Sequence, residues 1–176
     1  EIPLRLVGSE MCIRDRTFRR ATISVPELMA TAGKYFRKVY KGNKAHIDFK
    51  IQPLEGRITG DWNQLRFLLE NLIDEACSVT LDGAVCLSAR EDGEFIRFLF
   101  TDMRREKTRE ELNQLFYPDL SRMTAGEKGE LYGTEYLVCK QIIRDHDEFA
   151  GRRGCRINAE PAEGGGFTVY FTIPRR

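Results

Sequence analysis

The sequence predicts an α/β fold of the α+β kind, in which helices cover one face of a mixed, mainly antiparallel sheet to give a two-layer sandwich. Apolar residues recur at helical spacing in three long segments, and they alternate with polar residues in several shorter ones. Two pairs of the shorter segments are joined by turn sequences, which favours antiparallel neighbours. With 176 residues, the chain is long enough for one domain with a hydrophobic core.

The first third of the chain predicts a strand, a helix and a second strand. Residues 22–25 form a short β-like run, and a capping-box pattern with a proline in the first turn then begins a helix over residues 26–40. Strict alternation of apolar and polar residues over 46–51 is typical of a half-buried strand. We expect residues 53–60 to form a loop.

The longest predicted helix covers residues 61–80. Its apolar side chains fall on one face: Leu65, Leu68, Leu69, Leu72, Ile73, Ala76 and Val79. Asn71, Glu75 and Ser78 follow one flank of that face at one-turn intervals. Taken alone, this pattern favours a core helix with a solvated flank over a helix that faces a ligand.

The second half predicts two hairpins separated by a long polar segment. Residues 85–90 and 95–100 form the first hairpin, and a helix over 134–149 and a closing hairpin over 155–173 follow the segment. The segment at about 103–132 is typical of a lid, because long loops inside compact domains are usually functional. Within it, a short helix should place its apolar contacts on the body: Leu112, Leu115 and Phe116. The core is predicted to contain seven residues in particular: Leu69, Leu72, Ile73, Phe98, Phe100, Val169 and Phe171.

Composition argues against several classes of function. The net charge is +1 and no apolar run is long enough for a membrane span, so we expect no nucleic-acid partner and no membrane contact by this domain. Five cysteines form no C-x-x-C pair and only two histidines are present, which argues against structural zinc. Free thiols in the cytoplasm are the expectation.

The first sixteen residues are treated separately from the fold. Residues 6–16, L-V-G-S-E-M-C-I-R-D-R, resemble a translated sequencing-adaptor fragment. We therefore expect residues 1–16 to be non-native sequence or a disordered head, and the natural protein to continue upstream. The folded domain is expected to cover residues 17–176.

Five strings in the second part of the chain resemble, in their order and spacing, the boxes of a known family. They are N-L-I-D-E-A at 71–76, F-L-F-T-D at 98–102, L-F-Y-P at 115–118, G-T-E-Y-L-V-C-K at 133–140 and G-G-F-T-V-Y-F-T-I-P at 165–174. The family is the ATP-binding domain of sensor histidine kinases, in the superfamily of gyrase B, Hsp90 and MutL. The resemblance covers residues 22–176 and implies a Bergerat-type ATP-binding fold in a bacterial two-component sensor.

The resemblance also implies a set of nucleotide-binding residues. In the family, the aspartate at the position of Asp102 accepts a hydrogen bond from the adenine amino group. The triphosphate would lie near Asn71, Gly133 and Thr134. Glu75 takes the position of the asparagine that binds magnesium, so it is the candidate metal ligand here.

Four positions depart from the family pattern in that same site. Glu75 replaces the second asparagine, Arg104 and Glu106 replace two glycines, and Glu135 replaces a glycine at the helix start. Carboxylates repel a triphosphate, and side chains in place of glycines occupy space that the nucleotide needs. We therefore expect binding of ATP and magnesium to be weak or absent.

Three hypotheses of function follow. The preferred one is a degenerate domain, a pseudo-ATPase that serves as a signalling or docking module. The alternatives are an active ATP-binding catalytic domain of a sensor histidine kinase and an unrelated α/β binding module. As it stands, the chain would be only the ATP-binding half of such an enzyme, because neither histidine fits a phospho-acceptor. His46 lies in a predicted strand, and His146 lies near the end of a helix. The implied partners are an upstream sensor or dimerisation region and a response regulator.

Overall fold

The computed structural model describes residues 17–117 and 134–176. Its elements, in chain order, are β1 (Ala21–Ser24), α1 (Val25–Val39), β2 (Ile47–Gln52), β3 (Arg57–Gly60), α2 (Trp62–Cys77), β4 (Gly83–Asp92), β5 (Phe95–Asp102), α3 (Arg109–Gln114), α4 (Thr134–Phe149), β6 (Ile157–Pro161) and β7 (Phe167–Pro174).

Among the described residues, five strands form the main sheet in the order β2-β4-β5-β7-β6. The β2–β4 pair is parallel, and the other three pairs are antiparallel. The predicted mixed, mainly antiparallel sheet is therefore confirmed. Helix α2 packs against both α1 and α4, so the three long helices form one layer over this sheet.

A second, two-stranded sheet corrects the sequence prediction. Residues 53–60 were expected to form a loop, but β3 lies within them and pairs antiparallel with β1. Ile58 pairs with Ile23, and both side chains are buried. Four residues carry too little periodicity to predict a strand, so only the tertiary pairing reveals it.

Capping side chains set the start of α1 and of α2. Ser24 accepts a hydrogen bond from the Glu27 backbone at 3.3 Å at the start of α1. Asp61 accepts one from Gln64 at 3.1 Å at the start of α2. Helix α2 ends at Cys77, three residues before the predicted end at position 80.

The core contains all seven residues that the sequence predicted, and each is less than a tenth exposed. The stacked rings of Phe98 and Phe171 join β5 to β7, with centroids 4.9 Å apart. Leu112 and Phe116 are also buried and Leu115 is partly buried, so the segment after β5 is attached to the body as predicted. Residues 118–132 of the predicted lid lie outside the described part, as do residues 1–16, so those two predictions stay open.

Two further findings concern the described part of the chain as a whole. No helix in residues 17–117 and 134–176 is both long enough and apolar enough to cross a membrane. The four cysteines in these ranges are free thiols: Cys77, Cys86, Cys139 and Cys155.

Candidate functional site

The end of β5 and the second half of α2 bring the predicted site residues together. Asp102 is the last residue of β5, and Glu75 lies one turn after Asn71 on α2. Thr134 is the first residue of α4. Gly133 lies outside the described residues. The geometry around the predicted site can therefore be stated for Asp102, Glu75 and Asn71.

The Asp102 carboxylate is buried and fully engaged. Its Oδ1 accepts hydrogen bonds from the backbone N–H and the Nε of Arg104, at 3.0 and 2.9 Å. Its Oδ2 accepts from Arg104 Nη2 at 2.9 Å and from Arg105 Nε at 3.0 Å. Burial raises the pKa of this carboxyl, but the Arg104 hydrogen bonds and the charges of both arginines outweigh burial and hold the pKa below its usual value. A carboxylate has about four lone-pair sites, and all of them are used here.

Arg104 is held as firmly as the carboxylate it binds. Only 1% of its side chain is exposed, and it donates to the carbonyl oxygens of Ala76, Val79 and Leu81, at 2.6, 3.1 and 2.9 Å. These carbonyls lie in the last turn of α2 and just after it, where helices leave acceptors without intrahelical donors. Gly83 makes room for the arginine, because a Cβ at that position would lie 2.6 Å from Arg104 Cγ.

Arg105 connects Asp102 to Glu75. Its Nη2 and Nη1 donate to the two carboxylate oxygens of Glu75 at 3.0 and 3.3 Å. The hydroxyl of Tyr136, from α4, donates to Glu75 Oε1 at 2.7 Å. Burial and the neighbouring Glu75 charge raise the pKa of Tyr136, so it stays a donor. We call these five residues the Asp102 network: Glu75, Asp102, Arg104, Arg105 and Tyr136.

The remaining polar residues near the network are also bound within the protein. Glu106 Oε2 accepts a hydrogen bond from the Gly166 backbone at 2.7 Å. Gly166 adopts a positive φ of 83°, and a Cβ there would collide with the backbone of Asp102 and Met103. Asn71 Nδ2 donates to the carbonyl of Phe67 within its own helix, at 2.7 Å.

These contacts allow a test of whether the residues fit ATP and magnesium. Adenine would need a free acceptor on Asp102, and both oxygens already accept from arginine. Magnesium would need oxygen ligands in near-ideal octahedral geometry, but the Glu75 oxygens bind Arg105 and Tyr136. In the arrangement described, the donor set does not fit the nucleotide or the metal.

The structure shows contacts in the site that the sequence did not predict. Arg104 and Arg105 bind Asp102 and Glu75 within the protein. Tyr136 was missed, because a bond between α2 and α4 leaves no sequence signal. The sequence also shows Glu75 and Arg105 near the predicted site, but not that they pair.

Neither histidine has the environment of a phospho-acceptor. His46 lies immediately before β2 rather than inside the strand as predicted. His146 is completely buried, where its Nε2 accepts from the Asp61 backbone at 3.0 Å and its Nδ1 bonds to the Ile142 carbonyl at 2.8 Å. Burial lowers the pKa of His146 to about 4. Its ring is a structural link between α4 and the start of α2.

Comparison with known proteins identifies related sequences and structures. The sequence profile of the histidine kinase-, DNA gyrase B- and HSP90-like ATPases matches residues 60–176. The catalytic domain of histidine kinase ThkA, in a nucleotide-free form, superposes with a TM-score of 0.68 at 18% identity, over 89% of this chain and 97% of that one. The mycobacterial sensor histidine kinase MprB superposes with a TM-score of 0.64 at 16% identity, over 90% and 99%. No curated protein sequence gives a significant match.

Two of the similar structures are complexes. Full-length ShkA with AMPPNP superposes with a TM-score of 0.67 at 18% identity, over 90% of this chain and 32% of that one. ThkA with the response regulator protein TrrA gives 0.66 at 18% identity, over 90% and 42%. At these identities the superpositions establish the fold, which is that of histidine kinase catalytic domains.

Proposed function

Because the chain belongs to the histidine kinase-, DNA gyrase B- and HSP90-like ATPase family, we propose that it is a degenerate member, a pseudo-ATPase domain that signals or docks without hydrolysing ATP. One observation carries the proposal: both oxygens of Asp102 are occupied by the buried guanidinium of Arg104 and by Arg105. The carboxylate that would recognise adenine serves as an internal counter-ion.

The energetic cost of opening this site supports the proposal. Adenine would have to displace Arg104 from Asp102 and from three backbone carbonyls. Breaking a buried ion pair typically costs about 3–5 kcal/mol. That cost reduces affinity by roughly two to three and a half powers of ten. Magnesium would add to the cost, because Glu75 must first leave Arg105 and Tyr136.

An active ATP-binding domain of a sensor histidine kinase is the alternative. The family membership and the AMPPNP complex of ShkA favour it. It requires Arg104 and Arg105 to move out of the Asp102 network when nucleotide arrives. The third hypothesis, an unrelated α/β binding module, is wrong, since the family profile covers residues 60–176.

The proposal places the domain in the cytoplasm, in a bacterial two-component sensor protein whose upstream sensor or dimerisation region is its first partner. The complex of ThkA with TrrA supports a response regulator as a second partner. In this view the domain transmits a signal through its surface, and an enzymatic activity of its own is not needed.

A titration with a fluorescent ATP analogue, with and without magnesium, tests the proposal. We expect no saturable binding to the wild type at micromolar protein concentration. Micromolar binding that depends on magnesium and is lost in Asp102→Ala would overturn the proposal in favour of the active domain. Circular dichroism of each variant controls for loss of fold.

Two variants separate the reasons for weak binding. Glu75→Asn restores the family residue and removes one carboxylate without changing Arg104. Arg104→Gly combined with Glu106→Gly restores the two glycines. Binding gained by Glu75→Asn would indicate that charge repulsion weakens binding to the wild type. Binding gained by Arg104→Gly with Glu106→Gly, but not by Glu75→Asn, would indicate that side chains fill the site.

A further inference from the structure

A cleft of about 830 Å³ opens between the last two turns of α1, the loop after it and the start of β2. Four cationic side chains form its rim: Lys34, Arg37, Lys38 and Lys41. All four are exposed, and none forms an ion pair with another residue of 17–117 or 134–176. No acidic residue occurs over positions 28–47, although the chain as a whole has a net charge of only +1. Positive charge is therefore concentrated at this cleft.

The floor of the cleft is apolar and fixed. The rings of Phe36 and Tyr40 stack with centroids 6.0 Å apart, and Phe36 lies 5.0 Å from the ring of Phe49 on β2. The Tyr40 hydroxyl donates to Asp74 Oδ1 at 2.6 Å, and Tyr35 donates to the same oxygen at 2.7 Å. These bonds hold the aromatic rings in one arrangement, so the cleft has a preformed surface.

One side of the cleft borders a strand with an open edge. Among the described strands, β2 pairs only with β4 and is the outermost strand of the main sheet. The carbonyl of His46 accepts from Gly83 at the start of β4, at 3.1 Å. Since backbone groups alternate sides along a strand, the N–H and C=O groups of Ile47, Phe49 and Ile51 point away from β4. They form a row of backbone donors and acceptors to which another strand can add.

We propose that this surface, defined by the four rim cations and the open edge of β2, binds an extended acidic segment of another protein. The segment would add as a strand to β2 and place alternate acidic side chains against Lys34, Arg37, Lys38 and Lys41. Backbone pairing supplies affinity and the rim supplies selection for acidic sequences, as in other strand-addition modes. Nucleic acid or an anionic membrane would satisfy the rim cations but would leave the strand edge unpaired, which is why a peptide fits best. The proposal does not depend on whether nucleotide binds at Asp102.

Fluorescence anisotropy with a labelled short peptide of alternating Glu and Val residues tests this inference. We expect saturable binding that weakens with added salt. A peptide with Gln in place of Glu should bind about tenfold more weakly or not at all. The Glu-Val peptide methylated on alternate backbone nitrogens keeps every charge but loses strand pairing, and it should also fail to bind.

The protein variants provide the matched comparison. Arg37→Glu with Lys41→Glu reverses two rim charges and should abolish binding. Arg144→Glu with Arg152→Glu reverses two exposed charges on and after α4, so it changes net charge equally and should leave binding intact. Thermal unfolding checks that both double variants are folded.

Amide hydrogen exchange locates the contact. The amides of Ile47, Phe49 and Ile51 should become protected when the Glu-Val peptide binds. Equal binding of the methylated peptide, or no protection of these amides, would overturn strand addition. Single-stranded DNA or phosphatidylserine vesicles that bind the rim more tightly than the peptide would overturn the assignment of a protein partner.

Discussion

Arg104→Met should destabilise the domain by about 3–5 kcal/mol, because it leaves a buried carboxylate without its main partner. Methionine has a similar length but donates no hydrogen bond. Asp102 would keep only the backbone N–H of residue 104 and Arg105 Nε, and each of three carbonyls at the end of α2 and just after it would lose its arginine donor. Arg97, which lies in β5, provides the control. It pairs at 3.0 Å with Asp92, whose side chain is 42% exposed, so Arg97→Met should cost about 1 kcal/mol or less.

The pH dependence of this loss gives a second, independent check. Arg104 and Arg105 hold the pKa of Asp102 below its unfolded value of about 4. Stability from the ionised carboxylate is therefore fully present above about pH 4 and is lost as the pH falls through the lower, folded pKa. The difference between wild type and Arg104→Met should narrow in that acidic range.

Urea unfolding, followed by circular dichroism and by the fluorescence of Trp62, the single tryptophan, measures both effects. A double-mutant cycle with Asp102→Asn should give a coupling energy of about 1–3 kcal/mol. A loss below about 1 kcal/mol for Arg104→Met, with no dependence on pH, would refute the reasoning. Arg104 would then be loosely held in solution, and its occupation of the nucleotide position would no longer support a pseudo-ATPase.

Three further predictions concern stability. Burial lowers the pKa of His146 to about 4, so the free energy of unfolding should fall by about 1.4 kcal/mol per pH unit as the pH drops from about 6.5 towards 4. Urea titrations of His146→Gln should not show this slope. Gly166→Ala should lower the free energy of unfolding by more than about 3 kcal/mol, since the added Cβ meets backbone atoms at a residue with a positive φ. Gly93→Ala is the control: its φ is also positive but the space around it is open, so it should cost about 1–2 kcal/mol. Equal losses of stability in thermal unfolding would contradict the steric argument. Leu72→Ala should cost about 2–5 kcal/mol through lost burial and a cavity, and a loss below about 1 kcal/mol would mean that the α2 face is misassigned.

The fold could be predicted where periodicity was long and consistent. Helix α2 contains six of the seven apolar residues that the sequence placed on one face, and the hairpin of β4 and β5 has a turn sequence between alternating runs. The four residues of β3 gave no such signal, since their strand depends on pairing with β1. The end of α2 was placed too late because its apolar pattern continues to Val79, while the carbonyls there bond to Arg104 rather than within the helix.

The candidate site could be predicted only in part. The sequence located Asp102 and Glu75 near each other and found the substitutions around them, because these follow from the order of the family boxes. It did not reveal that the opposite charges pair with each other. Whether the charges pair depends on the direction of the side chains. Two arginines that follow an aspartate in the sequence can point either towards a phosphate or towards the carboxylates.

The double attachment of Arg104 has a consequence for how this domain changes over evolutionary time. One side chain both binds the carboxylate that the family resemblance assigns to adenine and supplies donors for the carbonyls of Ala76, Val79 and Leu81. A single reversion to glycine would leave Asp102 with only the backbone N–H of residue 104 and Arg105 Nε, and it would remove one donor from each of those carbonyls. The first revertant would therefore be less stable than its parent. If the domain is the pseudo-ATPase proposed above, recovery of nucleotide binding would need a compensating substitution first. The arginine would then make the loss of nucleotide binding difficult to reverse.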